Sequence, residues 1–321
     1  MLSKFLDPKN DVAFRRIFGN KKNKDILIHF LNDVLVFRGK SPIKEITFLK
    51  TIQDPEIASK KTSIVDILCE DDEGDNYIVE MQVARTTGFE KRALYYASKA
   101  YSSQANIGEK YYDLKEVIFL AIADYIMFPN KKEYKSDHVI LDKETFEHDL
   151  QDFSFTFIEL PKFTKTLEEL TSLQDKWCYF FKHAEDTSPE DLKILIGKDE
   201  IIERVYHELN RFYWTEQEIL AYEHSEKEKN DYLSSLEQKF VEGVSQGMSQ
   251  GIAQGMAQGI AQGIAEERAK SELEKRELQA KAEKDKATAI KEFARNLYKQ
   301  GIAVSSIQLA TNLSKEEIES L

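Results

Sequence analysis

The chain has 321 residues, 41% of them hydrophobic and 11% aromatic, which is enough for one well-buried core with appended parts. Its formal net charge of −12 argues against nucleic-acid binding by the chain as a whole, because phosphate contacts need Lys and Arg. Cys69 and Cys178 show no metal-ligand or disulfide spacing and no run of about 18 apolar residues occurs, so we predict a cytoplasmic protein without a membrane span.

The first 50 residues form a basic region of predicted helix. They contain 11 Lys/Arg and 5 Asp/Glu, so their net charge is 11 − 5 = +6. The apolar spacing from Asp11 to Leu35 predicts two helices, interrupted near Gly19-Asn20. This region could contact a nucleic-acid backbone, or it could be a solvated helix face. The candidates for backbone contact are Arg15, Arg16, Lys21 and Lys22.

The middle of the chain predicts strands with one helix among them. The predicted elements are a strand from Lys44 to Ile52, a hairpin of Thr62 to Cys69 and Tyr77 to Val83, a helix from Phe89 to Ile107, a buried strand from Glu116 to Asp124 and a strand from Phe155 to Leu160. The two arms of the hairpin flank a polar tract at residues 70–75. The order of elements is therefore helices, strands, a helix and further strands.

After Pro161 the sequence is almost wholly helical from Thr166 to Tyr222, with helix starts predicted at Ser188-Pro189 and at Thr215. A charged, Ala-rich helix is predicted from Glu266 to Glu292. The pattern of residues 293–321 predicts three short helices joined by turns. That pattern is shared by small helix-turn-helix units and by the ends of many helical bundles.

A tetrapeptide that begins with glycine repeats six times from Gly243: GVSQ, GMSQ, GIAQ, GMAQ, GIAQ and GIAE. In a helix, each four-residue step advances about 40° beyond a full turn, so the glycines form a slowly winding ridge. Each glycine costs roughly 1 kcal/mol relative to alanine in a helix interior. The repeat is therefore either a surface for homo-oligomerisation, where backbones approach closely, or a semi-flexible connector.

The hairpin carries the residues that indicate chemistry. In an antiparallel hairpin, the numbers of two residues that face each other add up to a constant. A turn centred on Glu73 makes this sum 146, so Asp66 is predicted to lie opposite Glu80. Gln82, two residues further on, projects from the same face. Two carboxylates at about 5 Å repel unless a cation lies between them, and oxygen ligands suit Mg²⁺ or Mn²⁺.

The alternative interpretation is that Asp66 and Glu80 are ordinary polar residues on a half-exposed hairpin. The apolar neighbours on both sides of each acid favour strands buried on both faces, where an unpaired charge is costly. The pattern alone leaves both interpretations open.

Several segments together resemble the Rpn-type recombination-promoting nucleases, also called PD-(D/E)XK nuclease family transposases. The similar segments are Asp7 to Gly19 with its DxxF spacing, Glu80-Met81-Gln82, Arg92 to Gln104, the strand that ends in Asp124-Tyr125 and the Gly-rich repeat. Their order and spacing are more specific than any one of them alone. The resemblance covers most of residues 1–160 and the C-terminal region.

The resemblance implies an α/β restriction-endonuclease-like core, a mixed central sheet flanked by helices, followed by a helical C-terminal region. It implies Asp66 and Glu80 as metal ligands and catalytic residues with Gln82, Mg²⁺ as the cofactor with Mn²⁺ or Ca²⁺ as alternatives, and DNA as the partner. Asp11, Arg92 and Gln104 are additional candidates. Gln82 departs from the superfamily's usual lysine, and an amide can orient water or a phosphate oxygen but carries no charge.

We therefore divide the chain into a nuclease core at 1–160, a helical segment at 161–235, the repeat with the charged helix at 236–292, and a small helical tail at 293–321. The implied function is metal-dependent DNA endonuclease activity that promotes recombination or mobile-DNA transfer. The first alternative is a DNA-associated scaffold that kept the nuclease fold without turnover. The third hypothesis is a strand-transferring transposase. Nothing in the sequence favours it, because the spacing of an acidic catalytic triad on a longer catalytic domain is not seen.

Overall fold

A computed structural model describes residues 3–37, 40–53, 63–105, 110–197 and 199–321. The chain divides into two compact units, Met1–Ser235 and Leu236–Leu321. Thr62 and Ile107, the outer ends of two predicted elements, lie outside the described residues. Within those ranges, no helix combines the length and the apolar character that a membrane span requires.

The secondary structure follows the predicted order. The helices in the described ranges are α1 (Asp11–Phe18), α2 (Lys24–Val34), α3 (Phe89–Ser102), α4 (Leu173–His183), α5 (Pro189–Ile196), α6 (Glu200–Leu209), α7 (Glu216–Lys299), α8 (Val304–Thr311) and α9 (Lys315–Glu319). The strands there are β1 (Ile46–Phe48), β2 (Ile52–Gln53), β3 (Ser63–Ile64), β4 (Ile67–Asp71), β5 (Asn76–Gln82), β6 (Val117–Ala123), β7 (Lys135–Val139) and β8 (Phe153–Glu159).

Six of these strands form one mixed sheet in the order β1-β4-β5-β6-β8-β7, while β2 pairs with β3 alone. Strands β5, β6 and β8 are parallel to one another, and the other pairings in the sheet are antiparallel. The chain crosses from β5 to β6 through α3, the connection that a parallel pair requires. The carboxyl ends of β5, β6 and β8 therefore lie at the same edge of the sheet.

Helices cover both faces of the sheet, which explains why the residues of β5 and β6 are buried without alternation. On one face, the aromatic side chains of α1, α2 and α4 pack together and against the sheet, with Phe18 contacting both Phe30 and Trp177. On the other face, Phe89 and the alanines of α3 pack against residues such as Ile78 and Phe119. The helical segment from residue 161 to Tyr222 thus shares its core with the N-terminal helices.

The start of α1 and the predicted break after it are both confirmed. The side chain of Asn10 accepts hydrogen bonds from Val12 N and Ala13 N and so caps α1. Helix α1 ends at Phe18, and Asn20 caps a short 3₁₀ turn that leads into α2. The predicted starts at Ser188-Pro189 and Thr215 also match α5 and α7.

Two predicted extents were wrong, and one strand was missed. The strand from Lys44 to Ile52 is two short strands, β1 and β2, and the helix from Phe89 ends at Ser102. Strand β7 was not predicted at all. It is an edge strand of the six-stranded sheet, none of its residues is buried, and its sequence KSDHV lacks the apolar alternation from which strands are recognised.

In the C-terminal unit, residues 236–321, the end of α7 packs with α8 and α9 around Ala294, Ile307 and Ile318. Ser314 caps α9 as a capping box with Glu317. The three-helix ending predicted from the sequence is therefore present.

Candidate active site

The β4–β5 hairpin has the register that the sequence predicted. Ile67 pairs with Val79 and Leu68 with Ile78, so the numbers of paired residues sum to 146. Asp66 lies one residue before β4, at a bend between β3 and β4, and continues this register opposite Glu80. The two acids are thus neighbours across the hairpin.

The turn fixes this register by local hydrogen bonds. The Asp71 Oδ1 atom accepts from Glu73 N and from Asp75 N, each at 2.9 Å. Gly74 has φ +89°, a left-handed conformation that residues with a Cβ rarely adopt. The Asp71 side chain and the conformation of Gly74 therefore fix the shape of this acidic turn.

Asp66 and Glu80 are connected by hydrogen bonds between side chains and backbone. The Asp66 N–H donates to Glu80 Oε1 at 3.3 Å, and Met81 N–H donates to Asp66 Oδ2 at 2.9 Å. Glu80 is only 3% exposed. Each carboxylate is therefore held by the other residue's strand segment, and both are largely shielded from water.

Burial and mutual repulsion disfavour ionisation of this pair. Burial, followed by the charge of Asp66, raises the pKa of Glu80 to about 8, although Arg92 opposes the shift. The pKa of Asp66 is also raised, by burial first and then by Asp11, against the opposing effects of the Met81 N–H and Arg15. A site that penalises its own negative charge in this way favours a bound cation.

Gln82 and Arg92 extend the site toward α3. Gln82 Nε2 donates to Glu80 Oε2 at 3.0 Å, and Arg92 Nη2 donates to Gln82 Oε1 at 2.5 Å. The Arg92 guanidinium lies over the Phe89 ring, 4.8 Å from its centroid. The Gln82 amide, at the position of the superfamily's usual lysine, is thus hydrogen-bonded to the Arg92 guanidinium on α3.

Asp11 and Arg15 approach the pair from α1. Arg15 Nη2 lies 3.2 Å from Asp66 Oδ1, and Arg15 Nε lies 3.1 Å from Asp11 Oδ1. The structure therefore links Asp11 to Asp66 through Arg15. Arg15, predicted from the sequence only as a backbone contact, is a direct partner of the Asp66 carboxylate.

Two of the sequence-predicted candidates lie elsewhere. Gln104 bonds to Lys115 through both its amide atoms, at 2.8 and 3.1 Å, beside the amino end of β6 and not the carboxyl end. Arg16 forms ion pairs with Glu208 and Glu218 and lies over the Trp214 ring. Lys21 and Lys22 are exposed.

Two carboxylates are the acidic ligands that this site offers. In the part of the chain that the structure describes, no group of three or more His, Cys, Asp or Glu side chains is placed to hold a metal ion. Mg²⁺ in enzymes is commonly bound by one or two carboxylates together with water and substrate phosphate. The buried, mutually repelling pair of Asp66 and Glu80 fits that mode.

The mixed sheet between two helical layers, with paired carboxylates on a central hairpin, is an α/β core of the nuclease type. The family model described as PD-(D/E)XK nuclease family transposase matches residues 8–239, well over half of the chain. The chain belongs to this family, which supports a nuclease or transposase-like role. No curated protein and no solved structure matches it.

Proposed function

We propose that this protein is a divalent-metal-dependent DNA endonuclease that promotes recombination or mobile-DNA transfer. The observation that carries the proposal is the buried pair of Asp66 and Glu80, hydrogen-bonded across the hairpin register. PD-(D/E)XK nucleases generally use divalent metal ions. Mg²⁺ is the cation that two carboxylates plus a phosphate diester suit best, with Mn²⁺ and Ca²⁺ as alternatives.

In this mechanism Asp66 and Glu80 hold the cation, which when bound lowers the pKa of water and offsets negative charge at the phosphate. Gln82 keeps Glu80 oriented through its amide and can orient a water molecule or a phosphate oxygen. Arg92 supplies, through Gln82, the positive charge that a lysine would carry at this position. Arg15 adds a second cation beside Asp66.

The exposed lysines Lys21 and Lys22, together with Arg15, are the residues we propose for contact with the DNA backbone. Arg16 is left out because its side chain, ion-paired with Glu208 and Glu218, is only 19% exposed, whereas that of Arg15 is 44% exposed. Gln104 is left out of the site because its amide bonds to Lys115. Asp11 acts indirectly, by holding Arg15.

Plasmid cleavage tests the proposal. Purified protein is incubated with supercoiled plasmid and Mg²⁺, Mn²⁺, Ca²⁺ or EDTA, beside Asp66→Ala and the control Asp72→Ala, an exposed acid in the turn of the same hairpin. We expect nicking by the wild type and by Asp72→Ala, none in EDTA, and none by Asp66→Ala. Equal behaviour of wild type and Asp66→Ala would reject catalysis at this site and leave a DNA-associated scaffold.

We further propose that the glycine repeat is the surface through which copies of the chain associate. Within the repeat, Val244, Met248, Ile252, Met256, Ile260 and Ile264 are each at least half exposed. A Cβ added at any of the six repeat glycines would meet open space. A winding row of large apolar side chains beside a glycine ridge permits close contact with the same surface of a second copy.

Deleting residues 243–266 is therefore expected to lower the oligomer mass measured by light scattering. Deleting residues 267–290 is the matched control, since it removes 24 residues of the same helix and produces the same change of helical phase. That control should retain the oligomer. An unchanged mass after the first deletion would leave only the connector interpretation.

A further inference from the structure

Three buried polar atoms without a hydrogen-bond partner lie around the carboxyl end of β5. They are Thr86 Oγ1, Arg92 Nε and Tyr125 Oη. Buried polar groups are nearly always hydrogen-bonded, so each such atom calls for an explanation. None of the three has a role in the hydrogen bonds of the carboxylate pair.

These residues flank Gln82 in the fold. Thr86 belongs to the segment that connects β5 to α3, and Tyr125 follows the end of β6. The Asp124 N–H donates to the Gln82 carbonyl oxygen at 2.8 Å, which places the start of the Tyr125 segment directly beside Gln82. The three atoms thus belong to adjacent segments at one edge of the sheet, the edge that carries Glu80 and Gln82.

Arg92 connects this group to the carboxylate pair. One terminal nitrogen is used by Gln82, while Nε is left without a partner. The guanidinium is held in place over the ring of Phe89, 4.8 Å from the centroid, and 6.0 Å from that of Tyr96. Burial raises the pKa of both Glu80 and Tyr125, and the charge of Arg92 opposes that rise in each.

The chemistry of the three atoms is that of hydrogen-bond donors around one fixed positive charge. Arginine has no acceptor, and the hydroxyls of Thr86 and Tyr125 can both donate. Burial raises the pKa of the Tyr125 phenol, so the hydroxyl keeps its proton at neutral pH. A ligand that satisfies such a set must present negatively charged acceptor oxygens, as a phosphate does.

We propose that Thr86, Arg92 and Tyr125 bind a backbone phosphate of duplex DNA, beside the phosphate diester that water would attack at the Asp66–Glu80 site. The proposal rests on the endonuclease function proposed above and adds a substrate-binding subsite to it. Thr86 and Tyr125 are binding residues here, since they take no part in the hydrogen bonds that hold the carboxylates. Arg92 belongs both to this phosphate subsite and, through its hydrogen bond to Gln82, to the carboxylate site.

DNA binding in EDTA tests the subsite without cleavage. The affinity for a fluorescently labelled duplex oligonucleotide is measured by anisotropy over a series of salt concentrations. The double variant Thr86→Val/Tyr125→Phe removes both hydroxyls with little change in volume and is expected to weaken binding about tenfold or more, because bonds to a charged phosphate are lost. Its salt dependence should match that of the wild type.

Arg92→Gln is expected to weaken binding and also to reduce the slope of log K against log salt by about 0.9, the loss of one phosphate contact. The control is Tyr101→Phe on the same helix α3, whose hydroxyl already donates to Asp152 Oδ2 at 2.5 Å. This control should bind DNA as the wild type does. Thermal melting of each variant shows that the fold is retained.

Two failures are distinguishable. If the wild type cleaves plasmid but the double variant binds DNA with unchanged affinity, or Tyr101→Phe weakens binding as much, the subsite is overturned and the endonuclease function stands. If the wild type neither binds duplex DNA nor cleaves plasmid, the proposed function fails and the subsite with it.

Discussion

Glu80→Gln is expected to reduce plasmid cleavage by about a thousandfold while leaving the protein folded. The substitution keeps the shape of a buried side chain that is 3% exposed, and removes the charge that would hold the cation. The rate of nicking under saturating Mg²⁺ measures the loss. Substituting an exposed acid of the same hairpin, Glu73→Gln, is the matched control and should leave the rate unchanged.

The same variant, Glu80→Gln, should also show how far the ionisation of Glu80 lowers the free energy of unfolding. The folded chain raises the pKa of Glu80 to about 8 from an ordinary value of 4.5. Between those values the folded state holds a proton that the unfolded state has lost, so Glu80 lowers the free energy of unfolding as pH rises toward 8. Glutamine does not titrate and removes this loss.

We therefore expect the difference in unfolding free energy, variant minus wild type, to increase by about 1 kcal/mol or more between pH 5 and pH 8 in EDTA. Denaturant titrations at the two pH values measure it, and groups that titrate equally in both proteins cancel. A difference that stays constant with pH would mean that Glu80 ionises freely in the folded chain. Together, the two measurements separate a functional acid from a structural one.

The hairpin shows which parts of the site could be predicted from the sequence. Its register follows from local information, because the turn at residues 71–75 sets which residues face each other and the apolar flanks identify the two strands. The sequence therefore predicts that Asp66 lies opposite Glu80. The break in the strand at Asp66 was not foreseen, since Val65 and Ile67 continue the apolar pattern through it.

Contacts between distant segments could not be predicted in the same way. Arg15 and Asp66 are separated by 51 residues, and no local pattern distinguishes an arginine that reaches a carboxylate from one that faces solvent. The same holds for Arg16, whose partners Glu208 and Glu218 lie in α6 and α7. Tertiary packing decides these pairs, so the basic N-terminal region could be recognised but its individual roles could not.

Gln104 shows how an error in one helix boundary moves a candidate residue. A helix extended from Phe89 to Ile107 would have carried Gln104 as a helical neighbour of the site residues. The helix ends at Ser102, and Gln104 instead holds the segment that begins at Lys115. Arg92 lies in the first turn of the same helix, far from the C-terminal boundary, and does contact Gln82.

Mg²⁺ binding is expected to tighten by up to about tenfold per pH unit from pH 6 upward, and to level off above pH 8 at about a hundredfold gain in all. The proton and the cation compete for the same oxygens of Glu80, whose pKa in the folded chain is about 8. Below that value the ion must displace a proton, and above it the carboxylate is already ionised. An ordinary exposed carboxylate, with a pKa near 4.3, would show no change over this range.

Calorimetric titration of Mg²⁺, or the EPR signal of free Mn²⁺, measures the affinity at each pH. Glu80→Gln supplies the control, because it removes the competing proton along with the ligand and should bind the ion weakly with no dependence on pH. An affinity that is high and constant from pH 6 to pH 8 would mean that the ion does not bind through Glu80. A hundredfold rise in Mg²⁺ affinity that disappears in Glu80→Gln would identify the Glu80 carboxylate as the ligand. Glu80 is buried opposite Asp66, and its pKa of about 8 lies in the pH range where the affinity would change.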